Sequence, residues 1–196
     1  ASMSNTTNFQ PVALEHASRL INHGPTVLVT SSDGTRRNVM AAAWSMPVEF
    51  TPPRIAVVID KHTFTRELIA ASGTFAICLP GSALVDLTHA VGSTSGRTMD
   101  KFEHFAIGTE TSSVLKLPVL SSGCSAWLEC RLISERHSEE AYDTCFAEVV
   151  GAAADARIFR NGHWLFDDSN AALQTIHHLG GGNFICAGSV VRATAP

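Results

Sequence analysis

Residues 38–60 read Asn38-Val-Met40-Ala-Ala42-Ala-Trp44-Ser45-Met-Pro-Val-Glu-Phe-Thr51-Pro52-Pro53-Arg-Ile55-Ala-Val-Val-Ile59-Asp60. They make two strand-like runs joined by a proline-rich connection. Thr51-Pro52-Pro53 cannot continue a ladder, because proline has no N–H to donate. Ile55 to Ile59 is a β-branched run bounded by that break. Asn38 to Ser45 mixes small side chains with one large aromatic, Trp44. Small residues beside a Trp suit a flat ring lying against backbone. Ordinary core packing describes the same residues, and on the residues alone both readings stay open.

Outward from this stretch the chain reads as many strands and a few short helices. Upstream, Ala13 to Asn22 carries a Leu14, Ala17, Ile21 stripe at helical spacing and is expected to be a short helix. Asp33-Gly34 is a turn signal, so strands 25–31 and 36–46 are expected to form a hairpin. Downstream, Thr63 to Ser72 reads as a helix with Thr63 as N-cap and Gly73 as C-cap. Phe75 to Leu79 reads as a strand and Ala83 to Val91 as a helix. Residues 92–98 read as a Gly/Ser/Thr-rich loop; Asp100 and Lys101 either brace that loop or cap a short helix at 98–103. The strands expected next are Cys124–Arg136 and Cys145–Ala153. A helix over Ala171–His178 is expected to break at Gly180-Gly181-Gly182, before a last strand at Asn183–Val191. No βαβ rhythm appears, which argues for a mainly antiparallel barrel with flanking helices. Residues 1–10 are expected to be loose and residues 11–196 to form one domain.

Composition narrows the function classes. The 196 residues are 45% hydrophobic with a net charge of −4, enough to build a core without disulfides or metal. No clustered basic face is indicated, so nucleic acid is not an expected partner. No apolar run reaches the roughly 18 residues of a membrane helix and no leader pattern opens the chain, so a cytoplasmic protein without a membrane partner is expected. Five cysteines occur without Cys-x-x-Cys spacing. Of these, Cys78, Cys130 and Cys145 lie in strand-like runs and read as reduced, buried thiols. The nine histidines show no metal-ligand spacing, so no metal site is expected. No Rossmann, nucleophile-elbow or P-loop word is present.

Two segments offer anion-binding chemistry. Lys61-His62-Thr63-Phe64-Thr65 stands between a strand and a helix start, with hydroxyls, cations and free helix N–H groups. An ordinary helix cap with solvated charges is the alternative. Gly92-Ser93-Thr94-Ser95-Gly96-Arg97 supplies more hydroxyls and N–H groups, though such loops are common.

Four words in order resemble the flavin reductase-like family of FMN-binding split barrels, which includes flavoredoxin. They are Arg37-Asn-Val-Met-Ala-Ala-Ala-Trp-Ser with Pro52-Pro-Arg-Ile; Ala71-Ser-Gly-Thr-Phe-Ala-Ile-Cys-Leu-Pro80; Thr94-Ser-Gly-Arg-Thr-Met-Asp-Lys-Phe102; and Leu117-Pro-Val-Leu with Ala126-Trp-Leu-Glu-Cys-Arg131. The resemblance implies an FMN-binding split β-barrel, antiparallel and Greek-key-like, that assembles as a homodimer. It implies NAD(P)H-dependent reduction of FMN by hydride transfer, with reduced flavin or electrons passing to a monooxygenase or acceptor protein. A flavoredoxin-type electron carrier and a non-catalytic flavin-binding protein are the alternatives. No residue is assigned a catalytic acid or base role. The flavin-facing positions it implies are Asn38, Met40, Ala42, Trp44 and Ser45 on one strand, and Lys61, His62, Thr63 and Thr65 beyond the next. Ser95, Gly96, Arg97 and Lys101 follow in the loop, and His178 comes late in the chain. Cys78 joins this set, although many relatives carry Asn there.

Overall fold

The computed structural model describes residues 8–196, so the looseness expected for residues 1–7 lies outside the described residues. It does not extend to Phe9–Pro11, which form β1. Strands β2 (Val27–Ser32) and β3 (Arg37–Ala42) make the hairpin expected around Asp33-Gly34. The Asp33 carboxylate accepts from Thr35 N (3.0 Å) and Arg36 N (2.7 Å) and so folds the turn. Strands β4 (Ser45–Phe50) and β5 (Pro53–Val58) flank the Thr51-Pro52 connection. Helix α1 (Phe64–Ser72) is capped by Thr63, whose Oγ1 accepts from Arg66 N, and ends at Gly73 with φ +71°. Then come β6 (Thr74–Pro80), α2 (Val85–Gly92) and α3 (Lys101–His104). Asp100 caps α3 through Phe102 N (2.8 Å) and Glu103 N (3.3 Å). The short pair β7 (Thr109–Thr111) and β8 (Pro118–Leu120) precedes β9 (Cys124–Ile133), α4 (Arg136–Tyr142) and β10 (Thr144–Asp155). Two small hairpins follow: β11 (Phe159–Arg160) with β12 (His163–Trp164), and β13 (Ile176–Gly180) with β14 (Asn183–Cys186).

The main sheet runs β3-β2-β6-β9-β10-β5-β4, with β1 added against β10. Every ladder in it is antiparallel. Its two end strands, β3 and β4, share no ladder, yet only Ala43 and Trp44 separate them in the chain. A chain reaches at most about 3.6 Å per residue, so the sheet must curl until its ends nearly meet. The result is an antiparallel barrel split along one seam, as the sequence led us to expect.

Strand alternation sorts the interior into two cores. Val27 and Val29 of β2, Phe75, Ile77 and Leu79 of β6, and Ala126, Leu128 and Cys130 of β9 pack into one cluster inside the barrel. Leu28, Ala76, Cys78 and Trp127 point the other way, into a second cluster with Val39, Val91 and Phe102 beneath α2 and α3. Cys78, Cys124, Cys130 and Cys145 are free thiols in these interiors, and Cys186 is exposed.

The short helix expected over Ala13–Asn22 is present as a 3₁₀ helix at Leu14–Leu20. Two local expectations change. The helix expected over Ala171–His178 is a 3₁₀ turn at Asp168–Leu173 followed by strand β13, because Thr175 bridges Gly81 and Ile176 pairs with Cys186. The last strand stops at Cys186 instead of reaching Val191.

Candidate functional site

Two adjoining cavities lie along β3 at the seam and share Ala41, Gly92 and Ser93 in their walls. Here β3 ends the sheet, so backbone N–H and C=O groups on its outer edge have no strand to pair with. Ala41, Ala42 and Ala43 keep that edge approachable, since a methyl group blocks little.

The first cavity, about 350 Å³, brings together nine of the residues expected at the site: Asn38, Met40, His62, Thr63, Thr65, Ser95, Gly96, Arg97 and Lys101. The two anion-binding segments read separately in the sequence therefore face each other. Helix α1 begins at this cavity, and its first N–H groups have no intrahelical partner. Lys101 is 3% exposed. Its Nζ donates to Val39 O (2.9 Å) and Val91 O (2.7 Å), which leaves one of three ammonium donors over. Burial lowers its pKa from 10.5 to about 8. Arg97 donates to Glu67 Oε2 (2.7 Å) and to His62 O (3.2 Å), tying the 92–98 loop to the start of α1. Glu67 also accepts from Arg36 (3.1 Å), and Arg97 first, then Arg36, hold its carboxyl below the usual range.

Asn38 donates from Nδ2 to Thr65 Oγ1 (2.9 Å), while its Oδ1 is buried without a partner. A Cβ added to Gly96 would stand 2.1 Å from that oxygen. Glycine at 96 is what lets the loop close over Asn38.

The second cavity, about 310 Å³, is walled by Ala41–Ala43, by Thr88 and His89 of α2, and by His178, Gly181, Gly182 and Phe184 of the β13–β14 hairpin. It takes in Ala42 and His178 from the expected set. Thr26, Thr88 and His89 were not singled out in the sequence. Nothing local marks them, since they meet only through the packing of α2 and the hairpin on the β3 edge. Thr88 Oγ1 is buried without a partner.

Four expected residues stand outside both cavities. Trp44 projects from the β3–β4 connection, 73% exposed. Ser45 begins β4, and its Oγ is buried without a partner. Lys61 pairs with Asp143 (3.1 Å). Cys78 is fully buried in the second core, where burial pushes its pKa up to about 12. Among the described residues, no three His, Cys, Asp or Glu side chains are grouped to hold a metal ion, and no helix is long and apolar enough to cross a membrane.

Residues 19–172 match the Flavin reductase like domain. The chain belongs to the flavin reductase-like family. One relative, the uncharacterized protein YddH of Escherichia coli (strain K12), is 55% identical over 189 residues, covering 95% of this chain and 99% of YddH. Among solved structures, an FMN-binding domain of a flavin reductases-like enzyme from Shewanella baltica OS155 is 43% identical. It superposes with a TM-score of 0.92 over 95% of this chain and 98% of its own. Flavoredoxin of Desulfovibrio vulgaris (Miyazaki F) is 24% identical, with a TM-score of 0.74 over 87% of this chain and 90% of its own, a likeness of fold.

Proposed function

We propose that this flavin reductase-like chain binds FMN across the two cavities and is an NAD(P)H-dependent flavin reductase. The observation that carries the reading is the pairing of a cation-bearing, hydroxyl-rich cavity with a neighbouring one along an open backbone edge. A phosphate calls for the first kind of surface, a flat heterocycle for the second. The orphaned Asn38 Oδ1 and the Gly96 approach fit a ligand that brings its own hydrogen-bond donor. The FMN-binding relative from Shewanella baltica supports the same cofactor.

Thr63, Thr65, Ser95, Arg97, Lys101 and the α1 N-terminus would hold the phosphate end. The β3 edge at Ala41–Ala43, with His178 and Phe184 opposite, would flank the ring. When bound, FMN would supply the redox chemistry, that of a hydride acceptor. The protein's residues are left to bind, orient and exclude water. A second copy of the chain completes this reading. Trp44, Met46, Val48 and Phe50 lie in or just before edge strand β4, and all four are exposed, from 42% to 73%. A row of that kind marks an interaction surface, and sedimentation of wild type and Phe50→Asp tests it. A monomeric wild type would refute the dimer.

The deciding experiment is the visible spectrum with FMN, followed by anaerobic NADH and then NADPH. Shifted flavin bands that bleach with either nucleotide support the reductase. Binding without bleaching turns the assignment to an electron carrier or storage protein. Unperturbed FMN overturns the flavin reading.

A further inference from the structure

We propose that His23, Thr175 and His177 form a proton-ordered latch that positions the β13–β14 hairpin as a wall of the second cavity and releases it in acid. The order of protons follows from one carbonyl. His177 Nδ1 lies 2.9 Å from Gly24 O, and a carbonyl only accepts, so Nδ1 carries the proton. In the neutral ring Nε2 is then an acceptor. Thr175 Oγ1, 3.2 Å away, donates to it. With its proton so used, Thr175 Oγ1 accepts from His23 Nε2 at 3.0 Å. Both tautomers are thereby fixed, and the bonds run one way: His23 to Thr175, Thr175 to His177, His177 to Gly24.

A second proton on His177 has only Nε2 to occupy. Thr175 would then accept from it and could donate only to a His23 whose own proton had moved to Nδ1; once both rings are charged, the Thr175 hydroxyl proton has no acceptor on either ring, in a side chain that is fully buried. Such a group costs about 1–3 kcal/mol, so the chain of bonds breaks instead. On His23, burial first and repulsion from His177 second lower the pKa from 6.5 to about 4, so the fold favours its neutral ring. Trp164 and Phe166 flank the His23 ring, and Ile185 and Cys186 lie opposite His177 and Ile176 on β14. Arg19, whose carbonyl accepts from the Trp164 indole, directs its guanidinium to Gly162 O. Among the described residues neither ring is given a carboxylate partner.

The latch sits at the root of the hairpin. Beside it, Thr26 N donates to Ile176 O (2.8 Å) and His178 N to Thr26 Oγ1 (3.0 Å). The tip is three consecutive glycines, Gly180, Gly181 and Gly182, all at positive φ. Two of them, with His178 and Phe184, wall the second cavity. The root therefore sets the wall, and His23, Thr175 and His177 act on the site through it as positioning residues.

Amide hydrogen exchange tests this without any ligand. Between pH ~7.5 and ~5, with intrinsic rates corrected, protection of the Thr26 and His178 amides should fall about tenfold while that of Ile77 in the barrel holds. The His23→Gln/His177→Gln double variant should show no such pH dependence. Thr175→Val should be unprotected at both pH values, with Thr175→Ser restoring the wild-type profile. Equal protection across the pH range in wild type, or a fall that persists in the double variant, overturns the latch. Should Thr175→Val not fold, those two series decide alone. The consequence for ligand binding rests on the flavin reading: FMN should bind wild type more weakly at the lower pH and the double variant equally at both. Failure of FMN to bind wild type at pH ~7.5 overturns that reading, while the exchange series still judges the latch.

Discussion

The wall built from α1 and residues 94–101 is held to the barrel by charge, and the wall built from the β13–β14 hairpin by neutral hydrogen bonds. In the first, Arg97 and Arg36 share Glu67, Arg37 pairs with Asp100 (2.9 Å), and the Lys101 ammonium is bonded to two carbonyls. In the second, a threonine and two imidazoles do the holding. The difference teaches which variable each wall answers to. The charged wall should respond to salt and to substitution of its cations, the neutral wall to acid.

Three experiments can break or sharpen that contrast. The largest effect is expected from Gly96→Ala. Its methyl would meet Asn38 Oδ1 at 2.1 Å and Phe64 Cδ1 at 3.0 Å, and overpacking of this kind costs about 1–3 kcal/mol. FMN titration should show affinity down by about tenfold or more, and unchanged affinity would mean the loop is not part of the site. Next is Lys101. Folding lowers its pKa to about 8, so between pH 8 and 10.5 the unfolded chain holds this proton more strongly and the cost of burying the charge fades as pH rises. Denaturant curves should show wild type gaining about 1–2 kcal/mol on Lys101→Met between pH ~8 and ~10. A constant gap would place the charge in water rather than in the wall. The smallest effect is Glu67→Gln. With both arginines about half exposed, the loss should be small and vanish near ~1 M salt. A larger, salt-independent loss in melting curves would make this pair structural.

The local turns and caps beside the charged wall were legible in the sequence; its ion pairs and the neutral wall were not. Asp33-Gly34, the Thr63 cap, the Gly73 stop and the Asp100 cap are local devices, and each acts within a few residues of itself. Residues 62–65 and 95–97 were each recognisable as anion-binding words, although their meeting depends on α1 and the loop both packing against β3. The hairpin failed for the opposite reason. Ala171 to His178 has helical composition, and only the distant pairings of Thr175 with Gly81 and of Ile176 with Cys186 make it turn and strand. The three glycines, read as a helix stop, are the tip of that hairpin. Asn161-Gly162 was a missed local signal. With φ values of +51° and +75° it is the two-residue turn between β11 and β12, a pairing that asparagine and glycine favour. Trp44 sits beside the alanines that line the cavity, yet a strand's side chains alternate and the seam turns the chain. Adjacency in sequence there does not mean adjacency at the site.

The seam has a mechanical meaning. A closed barrel resists opening because each strand is hydrogen-bonded on both sides, but here, among the described residues, the two rims share no ladder and are joined along the chain by the short tether Ala43-Trp44. Any molecule lying along Ala41–Ala43 occupies the berth that one more strand would fill. Loading the site and stiffening the barrel are then one event. Exchange at the β3 and β4 amides, rather than at the cavity side chains, should report it.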